Sequence, residues 1–375
     1  MELRIVNLNI EGFRAFRRLA IDGLSRVNLI TGRNNTGKST VLEALRILAS
    51  DASLAEIRSI LRYREEDIDD TGETAPSFDA EGGLQLSSLF NGFPNLSDQH
   101  RPVSISASGG QQPMRLKLDV VWVSEERDEE GKRSYIPQQA DLFGEGDGTL
   151  ALVTETNGSK RFRTMERLRR YRYRGPGYHS DVGDEPSLPC VSVSPYGGER
   201  TATLGSLWDR IALTDRENDV VEALQIIDPD ISAVSMVGGE GPRRLRTAIV
   251  RSSRLPRPVP LRSFGDGLNR MFGIIVSLVN AKDGLLLIDE FENGMHHSVQ
   301  LDAWRAVFKM SRSLGVQVFA TSHSWDAIEA FQKAAAKSPE DGVLVRLSQK
   351  AEDIVPTIFG EDELAVATRD RIEVR

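Results

Sequence analysis

The chain has 375 residues, 39% of them hydrophobic, and a formal charge of −8, which is more than one average domain's worth of sequence and enough apolar material for a sizeable core. The acidic balance argues against a protein that coats nucleic acid generally but leaves room for a local basic patch. Cys190 is the single cysteine, so no intrachain disulfide forms and no zinc cluster is expected. Neither a basic-then-apolar leader nor an apolar run approaching the roughly 20 residues of a bilayer span occurs, which reads as a cytoplasmic chain with no membrane contact.

In chain order, Leu3 to Ile10 alternates apolar and polar residues as a half-buried strand does. A second strand, about Arg26 to Thr31, runs into Gly32-Arg33-Asn34-Asn35-Thr36-Gly37-Lys38-Ser39, followed by helical spacing from Val41 to Ala49. Thr71 to Arg101 is rich in Gly, Ser, Asp and Pro and reads as a loop with one short apolar segment, Leu84 to Phe90. Alternation returns from Val103 to Val123, predicting strands of an antiparallel sheet, and Glu125 to Gly148 predicts an exposed loop. A basic run spans Lys160 to Arg174, Val191 to Ser194 reads as a strand, and Val220 to Ile227 as a helix ended by Asp228-Pro229. After a further β stretch, Thr247 to Val250, the chain becomes an α/β series from Ser263 onward. Its strands are Leu285 to Ile288, Gln317 to Ala320 and Val343 to Leu347; its helices are Leu268 to Val279, Val299 to Met310 and Trp325 to Ala335.

Gly32 to Ser39 fits G-x-x-x-x-G-K-[ST] without a mismatch, between a strand and a helix as that motif requires. Gly32 and Gly37 let the backbone curl so that its N–H groups face phosphates, and the helix start adds its positive dipole end. Lys38 is expected to reach the β- and γ-phosphates of ATP, and the Ser39 hydroxyl to hold Mg²⁺. Gly284 to Glu290 is a second motif: an apolar run ending in two acids predicts a buried parallel strand whose C-terminal end meets a ligand crevice. Asp289 is expected on Mg²⁺ and Glu290 on the attacking water.

About 250 residues separate Lys38 from Asp289, and Ser263-Phe264-Gly265-Asp266-Gly267 stands shortly before Asp289. A Ser/Gly turn opening a helix is an anion site by the same dipole argument, though a plain helix cap has the same composition. Downstream, His323 just past an apolar strand suits a sensor of the γ-phosphate. Two adjacent histidines, His296 and His297, lack further clustered ligands and do not predict a metal site.

These residues carry a resemblance to the ABC-type ATPase head of the overcoming-lysogenization-defect (OLD) and SMC-like group, AAA family ATPases of the AAA_15 or AAA_21 type. Ile5 to Phe16 resembles the group's opening strand and turn, Gly32 to Thr40 its Walker A with the Asn34-Asn35 pair, and Ser263 to Gly267 its signature. Asp289 to His296 resembles its Walker B and the segment after it, and Thr321-Ser322-His323-Ser324 its switch histidine. The resemblance implies an α/β P-loop NTPase of ABC ATPase type, with a mixed sheet, an N-terminal antiparallel β subdomain and a helical or irregular insertion. It implies one head over 1–375, with nucleotide-binding halves 1–50 and 255–350 around an inserted 51–255. No heptad-bearing arm separates the halves, and the 52 residues after His323, with Glu361, Asp362 and Glu363 in a polar tail, give the expectation that this chain lacks the Toprim nuclease that OLD enzymes carry.

The implied nucleotide contacts are Gly32, Arg33, Asn34, Asn35, Thr36, Gly37, Lys38, Ser39 and Thr40, with Ser263, Gly265 and Gly267 acting on nucleotide held by a second subunit. Glu290, His323 and Lys38 are the implied catalytic groups, with Ser39 and Asp289 on the metal. The expected function is a nucleotide-driven dimerisation switch, a homodimer or higher homo-oligomer serving a separately encoded nuclease or toxin effector in anti-phage defence or DNA maintenance. The alternative is a scaffold that binds ATP and turns it over slowly. The basic run, with seven arginines and three aromatics in fifteen residues, suits nucleic acid, an acidic protein or a solvated face.

Overall fold

The computed structural model describes residues 2–66, 85–110, 112–127, 133–138, 148–165, 168, 188–195, 201–238 and 246–374. The chain opens with β1 (Ile5–Phe13), β2 (Phe16–Asp22) and β3 (Val27–Gly32), then α1 (Lys38–Ala49) and α2 (Leu54–Tyr63). β4 (Val103–Gly109), β5 (Met114–Arg127), β6 (Arg133–Pro137), β7 (Thr149–Thr156) and β8 (Ser159–Thr164) follow. Next come β9 (Cys190–Val193), α3 (Thr201–Asp209), α4 (Asp215–Gln225), β10 (Ile231–Gly238), β11 (Arg246–Ser252) and β12 (Val259–Pro260). The last stretch is α5 (Asp266–Asn280), β13 (Leu285–Ile288), α6 (His297–Leu314), β14 (Gln317–Thr321), α7 (Trp325–Ala335), β15 (Gly342–Lys350), β16 (Asp353–Phe359) and α8 (Glu361–Arg369).

The strands make a core sheet, an antiparallel sheet and a small three-stranded sheet, β10-β11-β12. The core sheet has the order β16-β15-β3-β14-β13-β9, parallel throughout except for β16. β9, although it lies inside the 51–255 segment, is its edge strand. The antiparallel sheet has the order β2-β1-β4-β5-β7-β8, with β6 also on β5.

Why β13 is apolar at every position follows from its two faces. Leu286 and Ile288 enter the core shared with α3 to α8, while Leu285 and Leu287 enter the core shared with α1, α2 and the antiparallel sheet. A strand covered on both sides keeps the period of two in direction but loses it in polarity. α1 thus lies between the two sheets, with Val41, Leu45 and Leu48 packed among Ile10, Phe16 and Ile105. Buried Gln317 joins the layers: its Nε2 donates to the carbonyls of Ile5 (2.6 Å) and Ser25 (2.8 Å), and its Oε1 accepts from the Ile5 amide.

Several elements differ from the sequence expectation. β2 intervenes between the two N-terminal strands, α2 and β10 form where no element is expected, and β5 and β6 extend into the expected loop of Glu125 to Gly148. The tail after Leu347 is ordered as β16 and α8, and Val374 is fully buried, its carbonyl accepting from Thr31 Oγ1 at 2.5 Å. The first part of the basic run belongs to the edge strand β8, and residues 169–174 lie outside the described residues. Among the described residues no helix is long and apolar enough to cross a membrane.

Candidate functional site

The C-terminal ends of β3 and β13 are next-but-one neighbours in the core sheet, joined through β14. Parallel register therefore delivers three loops to one edge, where open α/β sheets place ligands. From β3 the chain turns at Gly32, whose φ of +146° and whose closeness to the Leu347 carbonyl leave no room for a Cβ. Gly37, at φ +83°, would set a Cβ 2.5 Å from Phe16 Cζ of β2, so glycine is required for both backbone and packing. Arg33, Asn34 and Asn35 are exposed between these glycines, Asn35 at φ +65°, while Thr36 turns inward, its hydroxyl donating to the Arg33 carbonyl at 2.8 Å. α1 starts at Lys38 with no side chain capping it, so its first amides and dipole face the loop's concave side. Thr40 is buried one residue into the helix behind Ser39.

Lys38 Nζ donates to the Gly32 and Arg33 carbonyls at 2.8 and 3.1 Å. Burial pushes its ammonium below the usual lysine range, against the raising influence of Asp289, Glu290 and Glu292. Asp289 Oδ1, at the end of β13, accepts from Ser39 Oγ at 3.0 Å and from Thr321 Oγ1 at 2.6 Å. One carboxylate oxygen thereby joins the phosphate loop, β13 and β14.

Glu290 stands in the left-handed region at φ +50°, a conformation that costs a non-glycine residue about 1–2 kcal/mol. Its peptide is held from both sides. The amide donates to Thr321 Oγ1 at 2.8 Å, and the carbonyl accepts from the Asn293 amide at 3.0 Å and from Arg270 Nη2 at 3.4 Å. Its Oε2 accepts from Asn293 Nδ2 at 3.4 Å. His323 lies beside Glu292: its amide donates to Glu292 Oε1 at 3.0 Å, and its Nδ1 is 3.2 Å from the same oxygen, with the side chain 56% exposed.

The structure therefore brings Lys38, Ser39, Asp289 and Glu290 to one place, with Glu292 carrying His323 to its margin. It does not bring in Ser263, Gly265 or Gly267. Ser263 is exposed on a 3₁₀ turn, Gly265 opens α5 uncapped at φ +103°, and Gly267 packs toward Val299. Among the described residues no hydrogen bond or ion pair joins that turn to the four residues above.

Residues with no expected role also shape the site. Arg270 of α5 reaches the backbone after β13, and Thr321 bridges Asp289 and Glu290; against the lowering effect of its burial, Arg64 is held above the usual arginine range chiefly by Glu43. Arg64 and Arg14 both pair with Glu43 of α1, at 2.6 and 2.7 Å, fixing the helix that carries Lys38. Their partners are far apart in sequence, so no local pattern announces them. Ser39 and Asp289 offer hard oxygens of the kind Mg²⁺ takes, one hydroxyl and one carboxylate, and the pair fits that ion.

Two family models match segments of the chain: an AAA ATPase domain over residues 3–82, and an AAA domain described as putative AbiEii toxin, Type IV TA system, over 203–328. An ATP/GTP phosphatase of Helicobacter pylori is 23% identical over 381 aligned residues, 96% of each chain. The DNA replication and repair protein RecF of Xanthomonas axonopodis pv. citri is 27% identical over 205 residues, 44% of this chain and 55% of that protein. Among solved structures, the SMC head domain from Thermotoga maritima covers 96% of this chain and 99% of its own, at 16% identity and a TM-score of 0.44. An SMC head domain with an extended coiled coil, bound to the C-terminal domain of ScpA and derived from Pyrococcus furiosus, covers all of both chains at 9% identity and a TM-score of 0.48.

Proposed function

We propose that this chain, two segments of which match AAA ATPase domain models and which is 23% identical to an ATP/GTP phosphatase along 96% of its length, works as an ATP-hydrolysing, nucleotide-driven dimerisation switch for a separate effector. The observation that carries the reading is the Ser39–Asp289–Thr321 connection, with Glu290 next in sequence and Lys38 beside the same carboxylates. In this reading the loop amides and Lys38 hold the β- and γ-phosphates of ATP. Ser39 and Asp289 would hold Mg²⁺, which neutralises charge on the phosphate oxygens when bound. Glu290 orients and polarises water for in-line attack: the new oxygen–phosphorus bond forms as the bond to the ADP oxygen breaks, giving ADP and inorganic phosphate. His323, carried by Glu292, stands where it would sense the γ-phosphate. Catalysis is positioning and charge stabilisation, with no covalent bond from protein to phosphate.

Ser263 and Gly265 are exposed, and among the described residues their turn makes no hydrogen bond or ion pair to Lys38, Ser39, Asp289 or Glu290, which supports a role on a second subunit. A C2 pair of heads would place each turn over the other's nucleotide, closing on ATP and opening after hydrolysis. The effector would be a nuclease or toxin, and the setting anti-phage defence or DNA maintenance inside the cytoplasm. Nucleic acid is the proposed trigger, engaged through the basic run at 160–174.

ATP turnover of the purified chain, with and without double-stranded DNA and beside K38A and E290Q, tests the reading, with light scattering followed in parallel. We expect K38A to lose binding and turnover, and E290Q to keep ATP binding while turnover falls by about 10²-fold or more. DNA stimulation that falls steeply with salt, and is lost on replacing Arg169, Arg170 and Arg172, supports the nucleic-acid trigger. Binding and assembly with negligible, DNA-insensitive turnover would instead support the slow scaffold. That alternative has its own observation: Lys38 is engaged with loop carbonyls and His323 with Glu292, so both groups must re-aim before hydrolysis.

A further inference from the structure

We propose that Arg270 is a positioning residue for hydrolysis: its guanidinium holds the backbone at which Glu290 leaves β13, and so aims the Glu290 carboxylate. Arg270 is 4% exposed on α5, shortly after the Ser263–Gly267 turn. Its Nη1 donates to the Ser194 carbonyl at 2.6 Å; its Nη2 donates to the Asp289 carbonyl at 3.2 Å and reaches the Glu290 carbonyl at 3.4 Å. One planar group thus spans the end of β9 and the two consecutive peptides after β13.

The chemistry of the fork explains the residue type. The acceptors belong to separate chain segments, and a guanidinium directs rigid, divergent N–H groups at them where an ammonium is a single compact charge. Carbonyl oxygens are the right partners for a group that must fix backbone without competing for Lys38 or neutralising Glu290. With the Glu290 amide tied to Thr321 Oγ1 at 2.8 Å, the left-handed peptide is held on both its donor and acceptor sides. Turning that peptide would swing the carboxylate away from its place beside Lys38.

Arg270 also rides on the helix that starts at the exposed turn. On the reading of Glu290 and of the paired heads given above, on which this inference rests, a shift of α5 when its turn meets the partner's nucleotide would move the clamp on its own subunit's Glu290. Each site would then report its occupancy to the other through one helix.

The test compares R270K, E290Q and the double variant with the unaltered chain, measuring affinity for a fluorescent ATP analogue, thermal midpoint and single-turnover hydrolysis. We expect R270K to lower hydrolysis at least 10-fold with analogue affinity within twofold. The double variant should be no slower than E290Q alone, because Arg270 acts through Glu290. Losses that multiply in the double variant, parallel losses of affinity and hydrolysis, or unaltered hydrolysis by R270K would each overturn the proposal. If R270K does not fold, R270Q, which retains amide donors, is read by the same criteria. E290Q alone reports on the hydrolytic reading: at unaltered turnover that reading and this proposal both fall. An inactive E290Q beside a fully active R270K sinks only the role of Arg270. Turnover independent of protein concentration, with a non-additive double variant, sinks the pair and leaves the clamp standing.

Discussion

At the scale of single residues, Thr321 does two jobs with one hydroxyl. It donates to Asp289 and accepts from the amide of Glu290, so T321V removes a donor and leaves that amide without its acceptor. We expect a loss of about 1–3 kcal/mol in stability by urea titration, together with weaker Mg²⁺ dependence of ATP binding. T321S should restore most of both. Cys190 offers a different check. It sits partly buried on β9 against Leu285, and burial pushes its thiol up to about 12. The thiolate is the reactive form, so at pH 8 a neutral disulfide reagent should label the folded chain more slowly than the urea-unfolded chain. Equal rates in the two states would show that β9 does not bury Cys190 at the sheet edge.

Between elements, the packing behind the site matters as much as its polar face. Phe291, the residue after Glu290, stacks on Trp304 of α6 with ring centroids 3.6 Å apart, and Trp304 meets Phe331 of α7 edge-on at 5.0 Å. Trp304 is fully buried and its indole N–H donates to the Ala327 carbonyl at 3.2 Å. W304A should therefore cost about 3–5 kcal/mol in chemical denaturation. W304F, which keeps a ring for the stack, should cost less and preserve turnover.

How far the elements could be read in advance depended on where their causes lie. Gly32–Ser39, Leu285–Ile288 and Trp325–Ala335 were legible because a contiguous pattern causes each. α8 was missed because Glu361, Asp362 and Glu363 read as a polar tail. They form the negatively charged first turn of a helix, favoured by its dipole, with Glu363 accepting from the Gly360 amide at 2.9 Å and Leu364 and Ala367 buried. That spacing was the available signal. Arg270 carried no such signal, because its acceptors come from β9 and β13 and only the fold assembles them.

For the whole molecule, the architecture divides labour between two sides. One core joins the core sheet to α3–α8, the other joins it to α1, α2 and the antiparallel sheet. The phosphate loop's helix grows from the second and the helix after the Ser263–Gly267 turn from the first, and the core sheet lies between them. If the heads pair as proposed, E290Q with ATP should scatter light as a species of twice the protomer mass or more, and S263R should remain a protomer while still binding ATP. A single protomer mass for E290Q at every concentration would rule the pair out.

The burial of Val374 bears on how this protein is best handled. That side chain, fully enclosed and worth about 2 kcal/mol of burial, makes the segment after α8 an unsuitable place to attach a probe. Its carbonyl is bonded to Thr31, the residue before Gly32, so a fluorophore or affinity tag fused there would pull on the strand that feeds the phosphate loop. Exposed positions elsewhere, such as Leu213 between α3 and α4, which is 99% exposed, are the better places to attach a reporter.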